Sequence, residues 1–147
     1  METMRKMMEI SIFEVFEKMF FIFLEHAGDA DNHFDSEAVI TFRGAVSGEV
    51  RLLVSDGMAG AMVMNMLGID DTGITEKHIE DCAKEAVNMI CGNFLGKLHT
   101  DDQAFDLSIP LYRRPASSVA ADGDSTVYIH YLSGDGAMST ALQVSAA

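Results

Sequence analysis

The chain of 147 residues has little of what builds a disulfide, a metal centre or a phosphate-binding surface. Its two cysteines, Cys82 and Cys91, fall within one predicted helix. At that spacing they stand ~13 Å apart along the axis and on opposite faces, so they cannot pair with each other. The five histidines, at 26, 33, 78, 99 and 130, show neither HExxH nor Cys/His ligand spacing. That speaks against a resident metal and makes them ordinary solvated or cleft residues. Positive charge is also scarce: 10 Lys and Arg stand against 23 Asp and Glu, a formal charge of −13. Such a surface repels phosphate backbones and anionic membranes, so nucleic acid is not an expected partner. A long uninterrupted apolar run is missing too. In MMEISIFEVFEKMFFIFLEH, Glu9, Glu14, Glu17 and Lys18 break the run and no small-residue cleavage site follows. The segment reads as a soluble helix rather than a signal or membrane span, and the protein as cytoplasmic.

What is present suits one domain, residues 1–147, with 48% hydrophobic residues. Ile12, Phe13, Phe16, Met19, Phe20 and Phe23 recur at i, i+3, i+4 spacing and predict a helix over about 9–25, ended by Gly28. The runs AVITF and EVRLLVS, between Glu37 and Ser55, flank Gly44 and the Ser47-Gly48 pair and read as a hairpin. Asp56 offers an N-cap to MAGAMVMNML, a short buried helix stopped by Gly68. Thr75 caps the longest helix, which runs to about Leu98. FDLSIPL, TVYIHYLS and AMSTALQVS read as three strands, the last two joined around Gly134-Asp135-Gly136. YRRPASSVAADGDS is a small, polar, flexible connection, and its Arg113-Arg114 pair is either solvated or placed to meet a phosphate. The order is α-ββ-αα-βββ.

The stretch DCAKEAVNMICG, Asp81 to Gly92, raises a chemical question. Asn88 and Gly92 sit in a helix with Ala83, Ala86, Val87 and Ile90 to bury, yet both are poorer helix formers than Ala, Gly by about 0.8–1.0 kcal/mol. At ~100° per residue, Asp81, Lys84, Glu85, Asn88 and Gly92 share about a third of the circumference. Ile79, Cys82, Ala83, Ala86, Met89, Ile90 and Phe94 form the apolar side. The polar stripe is either a solvated face or a contact surface, and Gly92 favours the second by letting another protein approach the backbone. A carboxylate and a carboxamide cannot build a nucleophile with its base. They can pair with a lysine and hold a water, and orienting a water for in-line attack accelerates phosphoryl hydrolysis.

Asp81, Glu85 and Asn88, in the spacing Asp/Ser-x3-Glu-x2-Asn followed by Pro110, resemble the active-site signature of the CheC/CheX/FliY chemotaxis phosphatases. Pro110 comes after 21 intervening residues, one fewer than the family's pattern. The likeness runs from the first helix through NMLG (Asn65 to Gly68) to the closing strands, and the single motif is similar to CheX. The corresponding place on the first helix does not fit, since Ser11 is followed by Val15 where Glu is needed. The resemblance implies an α+β fold of helices layered on an antiparallel sheet, and hydrolysis of the aspartyl phosphate of a CheY-like response regulator. Carried over, Glu85 engages the regulator's lysine and Asn88 positions the water. Asp81, Lys84, Gly92 and Pro110 then form the partner surface. Mg²⁺ belongs to the regulator, with no metal held by this chain. The resemblance also implies a homodimer, for which the strand Ala137 to Ser145 is a candidate edge. The competing expectation is a regulator-binding or switch-complex module of the same fold without catalysis.

Overall fold

The computed structural model describes residues 2–28, 33–98, 104–117 and 125–146. The amphipathic first segment forms helix α1 (Glu2–Phe20) and buries Met8, Ile12, Val15, Phe16 and Phe20. It ends before the predicted 25, because at Phe21 the backbone turns left-handed, with φ 54. The Phe21 and Ile22 amides close the last turn onto the carbonyls of Glu17 and Phe16. The Asn65 carboxamide donates to the Phe20 carbonyl at 2.7 Å, so the Asn of NMLG satisfies a helix end. Beyond it Ile22 and Leu24 are buried while Phe21 and Phe23 face outward. This two-residue alternation in FIFLEH competes with the helical reading of Phe23 and wins. It leads into β1 (Glu25–His26), which pairs with β6 (Thr126–Ser133).

Strands β2 (Ser36–Arg43) and β3 (Val46–Val54) form the expected hairpin, but its turn is Gly44-Ala45. Ser47 and Gly48 lie inside β3, where the Gln143 carbonyl comes too close to Gly48 to admit a Cβ. Helix α2 (Asp56–Leu67) is capped by Ser55 rather than Asp56, since the Ser55 hydroxyl accepts from the Met58 amide at 3.2 Å. Gly68, left-handed at φ 67, closes its other end. Helix α3 (Glu76–Leu98) is capped by Thr75 as predicted. The Thr75 hydroxyl accepts from the His78 amide at 3.1 Å and His78 Nδ1 accepts from the Thr75 amide at 3.2 Å, a capping box with His in the place of Glu.

The remaining strands are β4 (Asp106–Leu107), β5 (Leu111–Arg113), β6 and β7 (Gly136–Ala146). All pairings are antiparallel, in the order β1-β6-β7-β3-β2-β4, with β5 continuing the β4 edge along β2. The order α-ββ-αα-βββ therefore stands, with β1 added and FDLSIPL split in two. The strand Ala137 to Ser145 is not an edge: β7 pairs with β6 on one side and β3 on the other. Its Met138, Ser139, Thr140, Ala141 and Leu142 are all buried, which marks a central strand.

One face of the sheet packs against the helices through Ala38, Ile40 and Phe42 on β2, Val50, Leu52 and Val54 on β3, and Val127, Ile129 and Tyr131 on β6. Helix α3 touches β2 and β3 as well as α1 and α2. Cys82 and Cys91 are consequently both buried although they occupy opposite faces of the helix. Burial pushes the Cys82 thiol up to about 11, with Asp81 and Glu85 adding to it, and the Cys91 thiol up to about 12. Neither is a thiolate near neutral pH.

On the other face, the fully buried Glu37 receives Arg51 at 2.8 Å and the Ser117 amide at 2.8 Å, with Arg113 at 3.4 Å. Arg114 forms a two-pronged pair with Asp56 at 2.7 and 2.8 Å. Arg113 and Arg114 thus hold the chain to its own carboxylates instead of standing free. Residues 118–124 of the expected flexible loop, and His99, lie outside the described residues. Among the described residues no helix is long and apolar enough to cross a membrane.

Helices α1 and α3 share a polar clamp: Asn93 donates to Glu14 at 3.1 Å, Lys97 reaches the same oxygen at 3.2 Å, and buried Ser11 donates to Asn93 at 3.1 Å. Ser11, being inside this interface, has no access to a partner. The Asn93 amide, then Lys97, hold the Glu14 carboxyl below its ordinary value. A carboxyl lowered by folding contributes stability above its unfolded value, ~4.3, and loses it as pH falls through the lower folded value. Urea denaturation of Glu14→Gln is expected to show a flatter fall in stability than wild type below about pH 4.5. An unchanged acid limb contradicts the clamp.

Candidate functional site

The site lies where one flank of α3 meets the sheet edge. The helix buries Ala83, Ala86, Val87, Ile90, Cys91 and Phe94, leaving a narrow stripe outside. Asp81, Lys84, Glu85 and Asn88 from that stripe, together with Pro110 from the edge strand, line one open concavity of ≈ 380 Å³. Of the six residues singled out from sequence, five meet here. Gly92 lies on the same exposed stripe, one turn beyond Asn88.

The four polar residues differ in their ties. Asp81 pairs with Lys77 at 3.0 Å and Lys84 with Glu80 at 2.6 Å, both one turn away on the helix. Such i, i+4 pairs are screened by solvent and leave both charges on the surface. Among the described residues, the side chains of Glu85 and Asn88 make no hydrogen bond or ion pair. Glu85 is exposed and Asn88 half-buried, and both line the concavity. Met89, assigned to the buried side by periodicity, is 43% exposed, because it sits at the border of the apolar arc next to Glu85.

Pro110 is both a bulge proline and a wall of the concavity. Leu107 pairs with Phe42 and Leu111 with Val39, so two β2 residues, Ile40 and Thr41, face three edge residues, Ser108, Ile109 and Pro110. The Ser108 hydroxyl accepts from the Thr41 amide at 2.9 Å, and the Ser108 amide donates to the Thr41 carbonyl at 2.9 Å, pinning the bulge. A proline is tolerated here because the bulge asks no ladder amide of it. The sequence signal was Pro110 inside an otherwise strand-like run. Tyr112, two residues further, was missed; its hydroxyl donates to Glu76 at 2.7 Å, and nothing in its spacing marks that bond.

Among the described residues no group of three or more His, Cys, Asp or Glu could hold a metal ion. The other histidines have local roles: His130 Nδ1 lies 2.8 Å from the Ser139 hydroxyl, His26 is 3.7 Å from Glu9, and His33 is 3.1 Å from Asp35.

Residues 37–132, about two thirds of the chain, match the family "Chemotaxis phosphatase CheX". No curated protein matches. Among solved structures, the chain is similar to the chemotaxis protein CheX from Vibrio vulnificus, with 19% identity over 97% of this chain and 96% of that one, TM-score 0.79. It is likewise similar to a chain of the CheX-CheY-BeF3-Mg²⁺ complex from Borrelia burgdorferi, with 16% identity over 95% and 96%, TM-score 0.75. A more distant likeness is to the FliM middle domain from H. pylori, with 9% identity over 96% and 87%, TM-score 0.54. At these identities the structural likenesses establish the fold.

A Cβ at Gly92 meets nothing within 4 Å. Gly92→Ala is therefore expected to raise folding stability by about 0.8–1.0 kcal/mol, the helix-propensity difference, in urea denaturation. A loss of stability contradicts an open stripe.

Proposed function

The chain belongs to the CheX family of chemotaxis phosphatases, and from that premise we propose that it hydrolyses the aspartyl phosphate of a CheY-like response regulator. The single observation that carries the reading is that Glu85, Asn88 and Pro110 meet in one concavity, with the Glu85 and Asn88 side chains unengaged among the described residues. The complex of a Borrelia CheX with CheY, BeF3 and Mg²⁺ supports it by analogy.

In this mechanism the acidic stripe of α3 docks beside the regulator's phosphoryl group. Glu85 pairs with the regulator's active-site lysine. Asn88, carried on a helix buried along its length, brings a carboxamide beside the phosphorus. Its oxygen accepts a hydrogen from a water and its NH₂ donates to water or phosphoryl oxygen, so the water is oriented for in-line attack. The water oxygen bonds to phosphorus as the bond between phosphorus and the Asp oxygen breaks; the electron pair returns to the regulator's carboxylate and the water's protons leave with the inorganic phosphate. Mg²⁺, supplied by the regulator, neutralises phosphoryl charge. Asp81 and Lys84 rim the contact, Gly92 permits close approach, and Pro110 closes the far wall. This reading places the action of the domain in the cytoplasm.

The second reading, a switch-complex or regulator-binding module without catalysis, draws on the FliM likeness. The two readings share contacts and differ in whether water is delivered. Asn88→Ala should keep affinity for a BeF3-loaded regulator within about threefold while abolishing accelerated dephosphorylation at saturation; Glu85→Ala should weaken the complex by about tenfold or more, as for a desolvated pair. Wild-type rates in Asn88→Ala overturn the catalytic assignment.

We further propose a homodimer. With β7 interior, the open edges are β6 beyond its two-residue pairing with β1, and the β4–β5 strand. Sedimentation at micromolar concentration should show twice the 16.0 kDa chain mass, and a 16.0 kDa species alone contradicts it.

A further inference from the structure

Pro110 reaches the concavity from a strand with little to hold it. β4 has two residues and β5 three, both pair only with β2, and the bulge separates them. Ile109 is 83% exposed and Leu111 66%, so the outward face of this strand is held through Arg113, 3.4 Å from Glu37, and not by apolar packing. The inward face alternates with it and carries Pro110 and Tyr112. Tyr112 packs against the core, and its hydroxyl donates to Glu76 at 2.7 Å. Glu76 is the first residue of α3, the same helix that presents Glu85 and Asn88. Arg114, gripped by Asp56, stands beside that hydroxyl. Pro110 is thus fastened on its N-terminal side by Ser108 to β2, and on its C-terminal side by Tyr112 to α3.

We propose that Tyr112 is a positioning residue of this site: its bond to Glu76 sets the distance between the Pro110 wall and the Asn88 stripe. The inference rests on the phosphatase reading for its kinetic consequence, but not for its geometry. A regulator wedged between the two walls presents its phosphoryl group to Asn88 at a depth that the wall spacing determines. Small misplacements of this kind cost rate rather than binding. Neither Tyr112 nor Glu76 touches the reacting atoms.

The test combines amide hydrogen exchange over residues 107–113 with dephosphorylation kinetics of a phosphorylated CheY-like regulator, for Tyr112→Phe, Glu76→Ala, Glu76→Gln and the Tyr112→Phe/Glu76→Ala double variant. Tyr112→Phe and Glu76→Ala should each speed exchange in this segment, and lower the saturating rate, by about three- to tenfold, the scale of one hydrogen bond. Affinity for the BeF3-loaded regulator should stay within about twofold. The double variant should be no worse than either single, and Glu76→Gln, whose oxygen still accepts from Tyr112, should behave as wild type. Unchanged exchange in Tyr112→Phe, or additive losses in the double variant, overturns the proposal. If wild type fails to accelerate decay, the phosphatase reading falls while the exchange data still decide the tie.

Discussion

Everything at the candidate site depends on the burial of α3 along two sides. Ala83, Ala86, Val87, Ile90 and Phe94 are at most 2% exposed, and the helix is held by the sheet as well as by α1 and α2. A helix so fixed cannot rotate to present another face, because doing so would drive charge into the core and apolar side chains into water. The stripe left outside is therefore determined by packing, and it carries Asp81, Glu85, Asn88 and Gly92. The proposed water-positioning role of Asn88 would need such a rigid base, since a mobile carboxamide would lose the orientational gain.

The second wall is built on the opposite principle. The edge strand is short, bulged and exposed on its outer face, and its place is set by a few polar bonds instead of by a core. Ser108 ties the bulge to Thr41, Tyr112 ties β5 to Glu76, and Glu37 gathers Arg113 and the Ser117 backbone. An edge proline adds protection against unwanted strand pairing beside the site. One wall is thus rigid by burial and the other adjustable by substitution of single side chains.

The helix face was legible in the sequence because a 3.6-residue period places Asp81, Glu85 and Asn88 without any knowledge of the rest of the chain. The α-ββ-αα-βββ order was legible for the same local reason. What escaped was set by partners distant in sequence. α1 stops at Phe20 because Asn65, 45 residues on, satisfies its end and because Ile22 and Leu24 find the core in an extended chain. The interior position of β7 follows from its pairing with β3, a contact no local pattern encodes. Arg113 and Arg114 read as a free basic pair until Glu37 and Asp56 are seen beside them. Pro110 was identified, but the one-residue register slip that lets it face α3 is a property of two strands together.

Glu85 and Asn88 on a fixed helix would serve a binding module as readily as an enzyme up to the moment water is delivered. Turnover separates the two. The most direct measurement is the time course of phosphate release from a phosphorylated CheY-like regulator, in Mg²⁺, with this protein at a small fraction of the regulator's concentration. The account predicts accelerated release of all the phosphate, each protein molecule serving many regulators in succession. Release at the regulator's own rate, under conditions where the complex demonstrably forms, would contradict it.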